Sequence, residues 1–248
     1  MDALQIFIIV VIFLATFTRS TFGFGDALVA MPLLTLVIGL EVATPLVALM
    51  AVTISVTILI KQWRNVHVKS VWILIVFTLA GIPLGLYLLK GIHDNVMKMI
   101  LATVIIAFSL YKIFHPRLRL PDNDKLAPVF GFGAGILGGA YNINGLVAAI
   151  YGTLRRWDPQ KFRATMQGYF FPTGLMIALG HGLGGFWTRA VLTNYLICLP
   201  GILAAVFLGG ILNRKIPLGK FDNYIYIGLV IIGLLLLVKS GRGFFIGE

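Results

Sequence analysis

With 248 residues, 59% of them hydrophobic and only 12% charged, the chain lacks the polar surface of a water-soluble domain, where about 25% of residues are charged. Its mean hydropathy of +0.97 points to lipid as the solvent for its outer face. The formal net charge of +11 lies in short clusters between apolar runs rather than on one aromatic-interleaved stripe. That distribution excludes a nucleic-acid surface and suits loop anchors at a membrane face. A single cysteine, Cys198, excludes an intramolecular disulfide.

In chain order, the first apolar run covers residues 4–18 and is cut by Arg19, Ser20, Thr21, Phe22, Gly23, Phe24, Gly25 and Asp26. The N-terminus lacks the basic n-region of a secretory signal, so this run is read as retained. A piece of about a dozen residues follows, 27–38. Three runs then approach the roughly 20 residues that cross a bilayer, at 43–60, 71–89 and 96–114. Residues 115–125, with Pro116, Pro121 and Asp122-Asn123-Asp124, read as a linker. Residues 126–137 are apolar and are cut by Gly138-Gly139-Ala140-Tyr141-Asn142-Ile143-Asn144-Gly145. The pattern resumes at 146–154, and a long run at 190–212 follows. Pieces of about 9 to 12 residues reach only half of a 30 Å hydrocarbon core. They read as half-helices joined by non-helical backbone.

The two halves echo one another at an offset of about 120 residues. Val42-Ala43-Thr44 lies opposite Arg163-Ala164-Thr165, and Ala80-Gly81-Ile82 lies opposite Pro200-Gly201-Ile202. Charge then discriminates between topologies. If each interrupted segment crosses once, basic residues divide almost evenly between the two sides. If each enters and returns on one side, that side collects Lys61, Arg64, Lys69, Lys112, Arg117, Arg119, Lys125, Arg155, Arg156, Lys161, Arg163, Arg214, Lys215 and Lys220. Only Lys90, Lys98, Arg189, Lys239 and Arg242 remain opposite. The second division obeys the positive-inside rule. The expected fold is an all-α polytopic membrane protein of two inverted repeats, each a broken or re-entrant helical hairpin plus three transmembrane helices. Residues 1–114 form the first repeat, 115–125 a cytoplasmic linker and 126–248 the second. An odd number of crossings in each half places both termini outside.

Paired discontinuous helices in inverted repeats put a substrate site at the breaks, where free backbone N–H groups of the resumed half-helices suit an anion. The stretch Gly23-Phe24-Gly25-Asp26-Ala27-Leu28-Val29-Ala30-Met31-Pro32-Leu33-Leu34 resembles the opening motif of the sulfite exporter TauE/SafE family, and residues 138–145 resemble its second-repeat counterpart. The resemblance covers essentially the whole chain. It implies transport of sulfite, of organosulfonates such as sulfoacetate, or of related anions across the bacterial plasma membrane. Asp26, Asn142 and Asn144 stand where that family usually has glycine, so specificity is expected to differ there.

The candidate substrate-binding residues are Arg19, Ser20, Gly23, Phe24, Gly25, Asp26, Gly139, Tyr141, Asn142, Asn144, Gly145 and Gln167. Charges embedded in a membrane span are costly and functional by default. Arg19 either contacts the anion, pairs with Asp26 to pin the hairpin, or snorkels to headgroups. Asp26 either caps its half-helix or carries a coupling proton. Asn142 and Asn144 either donate to an oxyanion or cap the helix from Leu146, and Gln167 either lines the pathway or bonds between helices. Arg163 is read as a cytoplasmic anchor and the four histidines as interfacial. The pairs Gly81/Gly85, Gly131/Gly135 and Gly201/Ala205 are read as close helix packing. The expected partners are a small inorganic or organosulfur anion, the bilayer, a proton or sodium ion for coupling, and a second copy in a homodimer. No cofactor or metal is expected. Neither HExxH nor GxSxG is present, so a membrane-embedded enzyme is the weaker alternative; an anion channel is the other.

Overall fold

The computed structural model describes residues 2–62, 71–114, 124–155, 159–213 and 222–246. Among them the regular structure is helical throughout. In chain order the α-helices are α1 (Ala3–Phe22), α2 (Asp26–Ile38), α3 (Leu40–Gln62), α4 (Trp72–Gly91), α5 (Asp94–Phe114), α6 (Ala127–Tyr141), α7 (Asn144–Leu154), α8 (Pro159–Leu183), α9 (Arg189–Asn213) and α10 (Asp222–Ile246). Five of them, α1, α3, α4, α5 and α9, are long and apolar enough to cross a bilayer. Their outward faces carry large exposed apolar side chains such as Leu14, Val76, Leu196 and Phe207. In water that surface would be untenable; in lipid it is the expected exterior. The protein is an all-helical, multi-pass membrane protein.

Both expected interruptions are present, and both are shorter than the sequence suggests. Between α1 and α2 only residues 23–25 leave the helix, and between α6 and α7 only residues 142 and 143 do. Arg19 and Ser20 therefore belong to the last turn of α1. Gly138 and Gly139 belong to α6. The expected pieces of 9 to 12 residues become helices of 13 residues in α2, 15 in α6 and 11 in α7.

Packing explains why the α6 glycines stay helical. α4 lies along α6, and a Cβ on Gly81 would come within 2.3 Å of the Phe132 carbonyl oxygen; one on Gly135 would come within 2.2 Å of the Thr78 carbonyl oxygen. Gly85, Gly131 and Gly139 are equally close to backbone across the interface. These small residues let two helix axes approach where no side chain would fit. The reading of Gly81/Gly85 and Gly131/Gly135 as contact glycines holds. Gly201 departs from it, with open space around its missing Cβ. Gly209, two turns on, makes the close contact of α9 instead, against Ser20 and the Phe17 carbonyl of α1.

The helix pairs follow one rule. α1 packs on α9 and α6 on α4; α3 packs on α8, and α5 on α10. α3 also packs on α9, and α8 on α4. Each of these contacts is matched by another, or by itself, when each helix is exchanged with the one five places along; the packing of α2 on α10 and α5 has no equally extensive counterpart in α7. The centre is filled by fully buried Ile12, Ala15, Met31, Leu34, Val47, Met50, Leu101 and Ile105 from α1, α2, α3 and α5. The linker at residues 115–123 lies outside the described residues, as do the loop cations Arg64, Lys69, Arg117, Arg119, Arg156, Arg214, Lys215 and Lys220, and with them His67 and His115. Arg163 is in α8, but its side chain lies outside the described set.

Candidate functional site

Each break is built by residues that tolerate left-handed backbone. At the first, Gly23 (φ 90°) ends α1, its N–H bonding the Arg19 carbonyl at 2.7 Å, and Gly25 (φ 102°) opens α2. A side chain in that conformation costs roughly 1–2 kcal/mol, and glycine avoids it. At the second, Asn142 has φ 57° and its N–H reaches the Gly138 carbonyl at 2.7 Å. Asparagine is among the few residues with a side chain that visit this region readily.

The two breaks meet at one small cavity. Arg19, Gly25 and Asp26 line one side, and Asn142, Asn144 and Gly145 line the other. Ala51 of α3 and Phe170 and Gly174 of α8 complete the wall. The opening first residues of α2 and α7 both line it, so two helix N-termini contribute partial positive charge to the same space. At about 10 Å³ it has room for about one water molecule.

Arg19 is the largest fully buried side chain among the described residues, at 2% exposure. Its Nη1 donates to Asp26 Oδ2 at 2.7 Å and its Nη2 to Ser55 Oγ at 2.6 Å. The guanidinium lies 4.4 Å from the centre of the Phe170 ring, a cation–π contact that strengthens when desolvated. Arg19 Nε has no hydrogen-bond partner. Asp26 is the first residue of α2 and is also buried. Its carboxylate meets the positive end of its own helix as well as the guanidinium. Opposite, Asn142 is buried and its Oδ1 is unpartnered. Asn144 is committed elsewhere: its Nδ2 donates to Thr173 Oγ1 at 2.9 Å, and that hydroxyl donates to the Tyr169 carbonyl.

Residues 8–236 match the family described as Sulfite exporter TauE/SafE. The chain belongs to that family. A "Probable membrane transporter protein" of Haemophilus influenzae is 26% identical over 140 residues, covering 51% of this chain and 54% of that protein. The chain thus spans about half the length of this curated relative. No solved structure matches significantly.

Against this family background, the expected site residues divide into two groups. Arg19, Gly25, Asp26, Asn142, Asn144 and Gly145 converge on the cavity. Arg19 forms an ion pair with Asp26 at the cavity wall and is buried rather than snorkelling. Asp26 makes no side-chain cap; Gly25 holds the N-cap position. Nor does Asn144 cap a helix from Leu146, since α7 begins at Asn144 itself. The other candidates lie outside the lining. Gly23 accepts a long bond, 3.4 Å, from Gln167 Nε2, so Gln167 bridges α8 to the first break with its Oε1 left unpartnered. Phe24 packs into the core beside it. Ser20 faces α9 at Gly209. Gly139 faces α4, and its carbonyl contacts His181 Nε2 at 3.0 Å. Tyr141 points to α5, donating to the Met97 carbonyl at 2.9 Å. His181 is fully buried rather than interfacial, because that carbonyl and the Phe186 ring enclose it.

Ser55, Phe170 and Thr173 are the site residues that sequence reasoning passes over. Ser55 and Thr173 are each one of several hydroxyls in their helices, and their only signal is that a buried polar group needs a partner. Phe170 carries none, since it is one of eighteen phenylalanines.

Proposed function

We propose that this transporter carries small sulfur-containing oxyanions, sulfite or organosulfonates such as sulfoacetate, across the plasma membrane. The substrate is held between the breaks at residues 23–25 and 142–143. The observation that carries this reading is the convergence on one cavity of two helix N-termini and a buried guanidinium whose Nε lacks a partner. Such a set favours an oxyanion: the amides and guanidinium supply directed donors, and a low-dielectric wall strengthens each of them. Membership of a sulfite exporter family supports the sulfur-oxyanion class.

Alternating access is the mechanism this reading takes. The cavity takes only about one water, so a larger anion requires the half-helices to separate, and the positive-φ glycines at 23 and 25 are natural pivots. The exchange of helix contacts between α1–α5 and α6–α10 supports two related repeats, residues 1–114 and 126–248. We take them as inverted, with both termini outside, from the distribution of loop cations. Proteoliposomes loaded with sulfite, sulfoacetate, thiosulfate or acetate test the reading. Saturable flux with counterflow is expected for the sulfur anions. Absence of any anion flux, or conductance at channel rates, would overturn it.

A further inference from the structure

The proposed site raises a problem of charge. Arg19 is its buried cation, yet its guanidinium is already neutralised by Asp26 at 2.7 Å. The pair is enclosed: Arg19 is 2% exposed and Asp26 6%. Asp26 sits where an incoming oxyanion would sit, against a guanidinium N–H and at the opening turn of α2. Its carboxylate oxygen offers the same acceptor chemistry as a sulfite or sulfonate oxygen. An anion added to the intact pair would leave two negative groups on one cation in a site of low dielectric, and like charges at such distances repel strongly.

We propose that Asp26 is a built-in surrogate for the substrate, and that the anion takes its place on Arg19 only when Asp26 accepts a proton. This rests on the anion-transport reading above and adds its coupling. The step balances: a proton from solvent bonds to an Asp26 carboxylate oxygen, the contact with Arg19 Nη1 opens, and a substrate oxygen accepts the freed N–H. On the far side the anion leaves, Asp26 loses its proton to solvent, and the pair re-forms. One proton therefore accompanies each anion, and the resting site carries no net charge while empty.

The surroundings single out this carboxylate. Arg19 of α1 is the one charged group paired with it among the described residues. α3 contributes Ser55, a neutral partner of the same guanidinium, and its Glu41 lies at the opposite end of that helix. α5 carries Asp94 and Lys98, which pair with each other. α10 contributes Lys239, which donates to the Leu36 carbonyl at the far end of α2. α8 offers Phe170 and Gln167, and the side chains of its Lys161 and Arg163 lie outside the described residues. Gly25 rather than Asp26 holds the N-cap position, and the Asp26 carboxylate accepts from the Arg19 guanidinium. Second-break residues cannot substitute, because Asn142 and Asn144 do not titrate.

The test uses the full-length protein in proteoliposomes with sulfoacetate and thiosulfate, whose charges are constant between about pH 6 and 8, and with the membrane potential clamped at zero. One-to-one coupling lets a gradient of two pH units hold up to about 100-fold accumulation, a tenfold ratio for each unit. A pH dye should record one proton moving with each anion. Asp26→Asn should abolish accumulation and proton movement, and Asp26→Glu should restore both. If Asp26→Asn does not insert or is not monodisperse, the wild-type dye measurement still decides. Downhill anion flux without proton movement or gradient-driven accumulation would overturn the surrogate role and leave the transport reading standing. Gradient-driven accumulation retained in Asp26→Asn would also overturn it. No flux of any anion by wild type would instead remove the transport reading, and this inference with it.

Discussion

The two breaks perform the same backbone task with different chemistry. At the first, two glycines at positive φ interrupt the helix, and a buried ion pair, Arg19–Asp26, stands beside them. At the second, one asparagine takes the left-handed conformation, and among the described residues the polar side chains it presents to the cavity are the neutral amides of Asn142 and Asn144. The duplicated helix packing thus carries an unduplicated charge. Under the proposed function, the first break would set affinity and charge balance, whereas the second is held in position through α6 packing on α4. Concentrating the cost of a buried charge in one half is physically economical, because a second buried pair would carry its own desolvation penalty.

Removing Arg19 should break this asymmetry most severely. Arg19→Ala leaves Asp26 buried without its cation, Ser55 without its donor and Phe170 over a void. The expected loss is about 3–5 kcal/mol of stability, seen as a lowered thermal midpoint in detergent, with transport abolished. Stability equal to wild type would mean that the pair is not buried as described.

The second break should be sensitive to volume rather than to charge. Gly139→Ala puts a methyl 2.5 Å from the Ile82 carbonyl oxygen, and overpacking of this kind costs about 1–3 kcal/mol. Gly201→Ala meets open space and should be within about 0.5 kcal/mol of wild type. Equal effects at the two positions would show that α6 is not held by α4.

Asn142 separates backbone from side chain in a smaller experiment. Asn142→Ala keeps no side-chain amide and strains the left-handed turn, costing about 1–2 kcal/mol. Asn142→Gly loses the amide without that strain, so stability should stay near wild type while anion affinity falls. Equal destabilisation by both substitutions would make Asn142 a structural residue only.

How much of this was legible beforehand depends on what each residue signals by itself. The breaks announce themselves, since glycine, asparagine and aspartate interrupt otherwise apolar runs. Their lengths do not, because glycine serves both to loosen a helix and to admit a neighbour. Gly138 and Gly139 read as break residues until α8 is seen packed on the first and α4 on the second. Arg19 and Asp26 are conspicuous as charges in an apolar segment, and their pairing was one of the open readings. Ser55 is not legible, because its value comes from α3 crossing α1 beside the guanidinium, 36 residues away in sequence. Tyr141 misleads for the opposite reason: it neighbours the break in sequence, but its helical position turns it toward α5.

The central claim is that both breaks hold one and the same anion. A double-mutant cycle between Arg19→Lys, which keeps the charge, and Asn142→Gly, which keeps the turn, measures this directly through sulfite and sulfoacetate binding by calorimetry. If one anion touches both residues, the two losses should be non-additive by about 0.5–3 kcal/mol. Strictly additive losses, or affinity untouched by either substitution, would contradict a shared site.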